Sequence, residues 1–229
     1  MRGYDIVIPV YNEKKILDLL SYIIKKSKNL NNILICYDFD YDITIKLIKN
    51  SKFKNTDFIK LVKNNSVGPC NAVKSGIKES YAESVIVYPA DDFFNGDLLD
   101  IMFDFYQKGY EVVCPSRFIK GGIIKNCPLL KYSIVKFVSF FLFYFSRLNI
   151  KDPTNGFRFF SKKVLNDFKI ESTLGFAYSL ELLVKAHKKK YKIKELPSTW
   201  IERLDRKSSF KILAWSSDYL KWFLKCIFN

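Results

Sequence analysis

Between residues 4 and 116 the chain repeats one pattern: a short β-favouring run, then a longer segment with apolar residues at helical spacing. YDIVIPV (4–10), NILICYD (32–38), DFIKLVKN (57–64), SVIVYPA (84–90) and YEVVCPS (110–116) read as strands. Between them, EKKILDLLSYIIKKSKN (13–29), DITIKLIKNS (42–51), GPCNAVKSGIKESYA (68–82) and GDLLDIMFDFYQKG (96–109) read as helices. The third helix begins after Gly68, and Pro69 suits its first turn, where no backbone N–H is needed. Strand–helix units of this length predict an α/β chain with a mainly parallel, Rossmann-like sheet flanked by helices. In such sheets ligands bind at the carboxyl ends of the strands. Asp38, Asp91 and Asp92 sit at two of those ends, and Glu13 follows a third.

With 229 residues, 48% hydrophobic and 17% aromatic, the chain can bury one substantial core, which excludes a disordered class. No G-x-G-x-x-G follows the first strand and no G-x-x-x-x-G-K-[ST] occurs, so a dinucleotide fold and a P-loop are not expected. The net charge of +15 fits an anionic partner, or a lysine-rich solvated surface. Five scattered cysteines without a C-x-x-C pair argue against a zinc site or a disulfide framework, and suit a reducing compartment. MRGYDIVIPVYNE lacks the design of a signal peptide, so a cytoplasmic location is expected.

The second half changes character. LLKYSIVKFVSFFLFYFSRL (129–148) is dense in Phe, Leu and Tyr but interrupted by Lys131, Lys136 and Arg147. It is too interrupted for a membrane span and reads either as an interfacial helix or as a buried core helix. FKILAWSSDYLKWFLKCIFN (210–229) repeats that composition and is expected to form an amphipathic segment facing a membrane or a partner, appended to a domain over 1–209.

YPADD raises the sharpest chemical question, because two adjacent carboxylates close a buried strand. Their repulsion needs a compensating positive charge, and a divalent cation supplies it. The alternative is a helix cap before NGDLLD, for which Asn95 or Asp97 would suffice. His187 lies beside a lysine run, reads as a surface residue, and has no nucleophile for company, against a hydrolase triad.

IPVYNE (8–13), Asp38, VGPCNAVKSGI (67–77), YPADD (88–92), SRFIKGG (116–122), DPTNGFR (152–158) and ELPSTWIERLDRKSSFK (195–211) occur in that order. Together they resemble family 2 glycosyltransferases of the GT-A fold, and most of all the dolichol-phosphate mannose synthase group. The resemblance implies a nucleotide-diphospho-sugar donor, Mg²⁺ or Mn²⁺, and a polyprenyl phosphate acceptor. It implies that Pro9, Tyr11, Glu13 and Asp38 hold the base and ribose, with Lys74 and Lys207 also on the donor. The family's D-x-D would align with Pro89, Ala90 and Asp91, so its first acid is missing; Asp91 is then the principal metal ligand, with Asp92 assisting it or binding sugar hydroxyls. Tyr37 and Phe39 also depart from the family's acid-and-glycine pattern beside Asp38, which leaves guanine and uracil both open.

A polyprenyl phosphate is already an anionic nucleophile near neutral pH, since such a phosphate has a second pKa of roughly 6. An enzyme using it needs cations to position the acceptor more than a general base. Arg117 and Arg203 are expected to grip the phosphates, with Lys207 or Lys211 making up for Ser209 where the family has Lys. Asp152 would orient the sugar, act as base toward an alcohol acceptor, or cap its turn; Glu181 matches an acidic family position near the site. The expected reaction is an inverting, metal-dependent hexosyl transfer from a GDP-mannose or UDP-glucose type of donor, at the cytoplasmic face of an anionic membrane. A separate membrane subunit is a further expected partner. One rival is the same fold acting on a glycan hydroxyl during surface polysaccharide synthesis. Another is a non-catalytic, basic, membrane- or nucleic-acid-binding protein. A nucleic-acid partner is not expected, because carboxylates along the groove would repel phosphates.

Overall fold

The computed structural model describes residues 3–146, 148–202 and 212–228. The expected alternation is present as β1 (Tyr4–Val10), α1 (Ile16–Lys26), β2 (Leu30–Tyr37), α2 (Ile43–Lys49), β3 (Ile59–Lys63), α3 (Pro69–Glu79), β4 (Ser84–Val87), α4 (Leu98–Gln107) and β5 (Val112–Ser116). There follow β6 (Ile123–Lys125), α5 (Leu129–Phe145), β7 (Arg158–Ser161), α6 (Lys162–Asp167), α7 (Ala177–Lys188), β8 (Ile193–Pro197), β9 (Thr199–Ile201) and α8 (Ile212–Ile227). β4 ends before Pro89, which has no N–H to continue a ladder.

Seven strands form one sheet in the order β3-β2-β1-β4-β7-β5-β8, and β6 pairs with β9 beside it. β1 runs parallel to β2 and β4, β2 to β3, and β5 to β8. β7 is antiparallel to both β4 and β5, so the sheet is mixed at its centre. The alternation of apolar runs does not predict β7. Its four residues, RFFS, are all buried and begin with an arginine, so neither length nor alternation marks them.

Side chains alternate across the sheet with the strand period of two. Ile6 and Ile8 of β1 face α1 and α4, in a cluster with Leu19, Leu20, Leu99 and Met102. Val7 faces the opposite layer, with Val73 of α3 and Leu182 of α7. Gly76 lets α3 lie flush on the sheet, since a Cβ there would come 2.5 Å from Val7 Cγ1 and 2.7 Å from Cys36 Sγ. A third cluster, Leu142, Leu180, Val184 and Trp222, joins α5 and α8 to α7. The two aromatic-rich helices are thus each half packed on the domain and half exposed. Among the described residues no helix is long and apolar enough to cross a membrane. Cys36, Cys70 and Cys114 are buried and all five cysteines are free thiols, but only Cys36 and Cys114 lie in strands.

Candidate active site

The carboxyl ends of β1, β2, β4 and β5 open on one edge of the sheet, and the loops leaving them carry most of the candidate residues. After β1 the chain turns sharply at Asn12, whose φ is +50°. Asn12 N–H donates to both carboxylate oxygens of Asp42, at 3.1 and 3.0 Å, and Glu13 N–H donates to Thr44 Oγ1 at 2.8 Å. Asp42 also accepts from Thr44 N–H at 2.8 Å, capping α2. One carboxylate therefore fixes the loop after β1 against the start of α2, leaving Tyr11 61% exposed at the rim. Glu13 is buried beneath that loop and accepts from Lys15 N–H. Pro9 lies within β1 opposite Cys36. Asp42 is legible in the sequence only as a helix cap; its hold on the IPVYNE loop depends on a contact across thirty positions.

Asp38 accepts from Asn64 Nδ2 at 2.8 Å and from Gly68 N–H at 3.1 and 3.2 Å. It holds the loop after β3 against the start of α3, where Gly68 has a φ of +107°. Lys74 is half-buried on α3. Beyond Asp38, Phe39 and Tyr41 stack at 5.1 Å, beside a cavity of about 420 Å³ lined partly by Lys46 and Lys49.

The two acids of YPADD have different surroundings. Asp92 accepts from Phe94 N–H at 2.8 Å, Asn95 N–H at 3.0 Å and Asn95 Nδ2 at 2.6 Å. Asn95 in turn bonds the backbone of Thr199 in both directions, at 2.7 and 2.8 Å, tying this loop to β9. Burial pushes the Asp92 carboxyl up, against the lowering effect of those hydrogen bonds and with a further push from Asp91. Asp92 is therefore a turn-forming carboxylate with both oxygens engaged. The alternative reading, a cap from Asn95 or Asp97, is not made: Asp97 stands at the start of α4 without a side-chain cap bond and pairs with Lys26 instead. Asp91 remains half-buried at the mouth of β4.

Among the described residues no three His, Cys, Asp or Glu side chains converge as a metal cage. That donor set fits a hard cation such as Mg²⁺ or Mn²⁺ only where a single carboxylate shares it with substrate phosphate oxygens and water.

Past β5, Arg117 forms the best-defined ion pair of the site. Its Nε and Nη2 donate to the two oxygens of Asp152 at 2.7 Å each, and its backbone N–H adds a third bond at 2.9 Å. Asp152 is fully buried and the Arg117 side chain only 9% exposed. The guanidinium also lies 4.7 Å from the ring centre of Trp200, on β9. Burial alone would raise the Asp152 carboxyl, but the charge and hydrogen bonds of Arg117 outweigh it and hold the group below the ordinary range. Beneath, fully buried Arg158 donates to Asp152 C=O at 2.5 Å and to Ser179 Oγ at 3.0 Å. Glu195 accepts from the N–H groups of Lys151 and Asp152. The DPTNGFR loop is thus a rigid platform whose carboxylate orients Arg117. Neither the pairing nor the supporting roles of Arg158, Glu195 and Trp200 could be read from spacing.

A cavity of about 430 Å³ opens beside Arg117, lined also by Phe118, Gly122, Ile124, Asn126, Cys127, Leu129 and Tyr132. Glu181 lies fully buried and accepts from Glu171 and Ser172 N–H groups at 2.7 Å each and from Lys185, so it braces a turn. Arg203, Lys207 and Lys211 lie outside the described residues.

Residues 5–169 match the sequence pattern of the family described as Glycosyl transferase family 2. The chain belongs to that family. It is 26% identical over 233 residues to a dolichol-phosphate mannosyltransferase of Pyrococcus furiosus, covering 95% of this chain and 64% of that protein, and so spans under two thirds of that relative. It is 23% identical over 228 residues to a polyprenol monophosphomannose synthase of Mycolicibacterium smegmatis, covering 92% of this chain and 85% of the relative. The fold matches glucosyl-3-phosphoglycerate synthase from Mycobacterium tuberculosis, solved with UDP, at a TM-score of 0.74 and 14% identity, over 99% of this chain and 80% of that one. A second structure of that enzyme, with Mn²⁺, UDP and product, matches at 0.72 and 13% identity, with the same coverage of both chains. The mixed sheet and its flanking helices are thus those of a GT-A glycosyltransferase.

Proposed function

We infer that this glycosyltransferase moves a hexosyl group from a nucleoside-diphosphate sugar to a polyprenyl phosphate, with inversion, at the cytoplasmic face of a membrane. The observation that carries the acceptor half is the Arg117–Asp152 pair. A hydroxyl acceptor needs a base that takes its proton. Asp152 stands opposite an arginine that keeps it ionised and hydrogen-bonded through both oxygens, which makes it a weak base. A phosphate monoester brings its own anionic oxygen, and the cation of Arg117, aimed by Asp152 in the wall of the cavity, is suited to hold it. The names of the two curated relatives support the same acceptor class.

In the proposed step an acceptor phosphate oxygen attacks the anomeric carbon from the face opposite the leaving group. The bond from that carbon to the donor's diphosphate oxygen breaks, and its electron pair leaves on the diphosphate. A divalent cation bound by Asp91 and the diphosphate would neutralise the charge gathering there. Tyr11, Asp38 and the loop fixed by Asp42 supply the walls for base and ribose, and Asp92 shapes the turn that presents Asp91. Titration calorimetry with GDP and UDP, each with and without Mn²⁺, tests the donor half. One nucleotide should bind in a metal-dependent way, and Asp91→Asn should remove the metal dependence. Binding of neither nucleotide under either condition refutes the reading. If one binds, turnover of the matching nucleotide-sugar with a short-chain polyprenyl phosphate tests the acceptor half.

A further inference from the structure

We propose that Trp200 is a positioning residue for the transfer: its ring fixes the plane of the Arg117 guanidinium and so sets how tightly the acceptor is held. Asp152 ties the guanidinium along one edge, through Nε and Nη2, and Thr154 Oγ1 accepts a longer bond from Nη2 at 3.3 Å. Among the described residues Nη1 makes no hydrogen bond. The edge contact settles the guanidinium within its own plane, but the tilt of that plane about the Asp152 bonds needs a second support. Two half-buried rings are in reach: the guanidinium carbon lies 4.7 Å from the ring centre of Trp200 and 5.5 Å from that of Phe118. An indole face attracts a guanidinium yet offers no acceptor for its N–H groups. A carboxylate in the same place would occupy Nη1 and neutralise the charge. The ring therefore steadies the cation and leaves its Nη1 corner for an anion.

Phe118 adjoins Arg117 in the chain and turns with the same loop, so Trp200 is the ring that supplies a reference outside it. Its own place is fixed from three sides. β9 pairs with β6, which sets Trp200 opposite Ile124, a residue in the wall of the cavity beside Arg117. The preceding residue, Thr199, is bonded in both directions by Asn95, from the turn that presents Asp91. From α5, Lys131 Nζ stands 4.8 Å from the ring centre and donates to both oxygens of Glu202, at 2.8 and 2.9 Å. Trp200 thus joins the turn on the donor side to the arginine on the acceptor side through one short strand. A leucine there would fill part of the space without a negative face to hold the cation. The hold on Arg117 stands on these distances; its effect on the acceptor rests on the polyprenyl phosphate reading above.

Two readouts keep the hold and its effect apart. Nitrogen NMR spectra of the arginine side chains report the first. The Nη signals of Arg117, identified by their loss in Arg117→Lys, should be resolved from each other in the wild-type chain, merge in Trp200→Leu and stay resolved in Trp200→Phe. Turnover of the nucleotide-sugar with a short-chain polyprenyl phosphate reports the second. Trp200→Leu should raise the acceptor KM about fivefold to thirtyfold while the Kd for GDP or UDP with Mn²⁺ stays within about twofold. Trp200→Phe, which keeps a ring, should recover most of that loss. Fluorotryptophan in place of all three tryptophans keeps their shape and weakens the negative face, so it should move both readouts as Trp200→Leu does, and should not do so in Trp200→Phe. Resolved Arg117 signals in Trp200→Leu overturn the proposal, as does a Trp200→Phe chain perturbed as much as Trp200→Leu. Where Trp200→Leu fails to fold, fluorotryptophan decides: an unchanged spectrum overturns the proposal. Merged signals in Trp200→Leu, with no turnover of polyprenyl phosphate by the wild type, would refute the acceptor reading and leave the hold on Arg117 standing.

Discussion

Asp152→Asn isolates the central interaction of the site. The substitution keeps the shape of the side chain and removes its charge, leaving the guanidinium of Arg117, whose side chain is 9% exposed, beside an amide that can accept at one atom instead of two. Two side-chain contacts at 2.7 Å and a backbone contact at 2.9 Å are affected. Breaking one partner of a buried pair costs about 3–5 kcal/mol, because the remaining charge is desolvated without compensation. For a chain of this size each 1 kcal/mol lowers Tm by about 2–4 °C, so a fall of about 6–20 °C is expected. Calorimetric melting near pH 7 measures it. Arg117→Met/Asp152→Asn should be less destabilised than the two single variants summed, by at least about 1 kcal/mol, since it strands no buried charge. The Asp152 contribution should persist down to acidic pH: a lowered carboxyl stabilises fully above its ordinary pKa of roughly 3.9 and loses that effect only as pH falls through its folded value. A melt within about 2 °C of wild type would refute the claim that this pair organises the site. Loss of the acidic limb of the pH–rate profile in the residual activity of Asp152→Asn would make Asp152 the base and refute the acceptor argument.

Asn95→Ala should cost about 1–3 kcal/mol in urea unfolding, because the Asp92 carboxylate and the Thr199 backbone all lose a partner; an unchanged midpoint would remove Asn95 as the tie between the β4 loop and β9. Gly76→Ala should cost about 1–3 kcal/mol, since its Cβ would meet Val7 and Cys36 below 3 Å; wild-type stability would show that α3 can lift off the sheet. Glu171, contacted by Lys185, Lys221 and Lys225, has its carboxyl lowered from 4.5 to about 2 by hydrogen bonds from Lys185 and Lys221. Its contribution to holding α8 is complete above pH 4.5 and lost as pH falls through about 2. The difference in Tm between wild type and Glu171→Gln should therefore shrink between pH 6 and pH 2, and a constant difference would contradict that role.

Much of the sheet's carboxyl edge is legible in the order of residues alone. Apolar runs of strand length, separated by helical segments, leave few arrangements other than a mainly parallel sheet, and they place Asp38 and Asp91 beyond the carboxyl ends of its strands. The spacing could not show that Asp92 is engaged by Asn95, because two adjacent carboxylates look equivalent until a turn assigns each a direction. Glu13 and Glu181 likewise read as site acids, but their burial, and the backbone N–H groups they accept from, one at Glu13 and two at Glu181, could not be read from spacing. β7 escapes such a reading because four residues led by an arginine carry no period, and only the slot between β4 and β5 makes that segment a strand.

Local chemistry, which needs only neighbouring residues, determined the alternation of elements, the proline that stops β4, the aspartate that starts α2 and the aromatic density of α5. Tertiary structure decided which face of α5 is covered, which of the two adjacent acids builds the turn, and that Arg117 meets Asp152 across thirty-five positions. Those outcomes depend on pairings between distant segments. Their strength comes from excluding water around particular atoms, and no run of sequence states which atoms those will be.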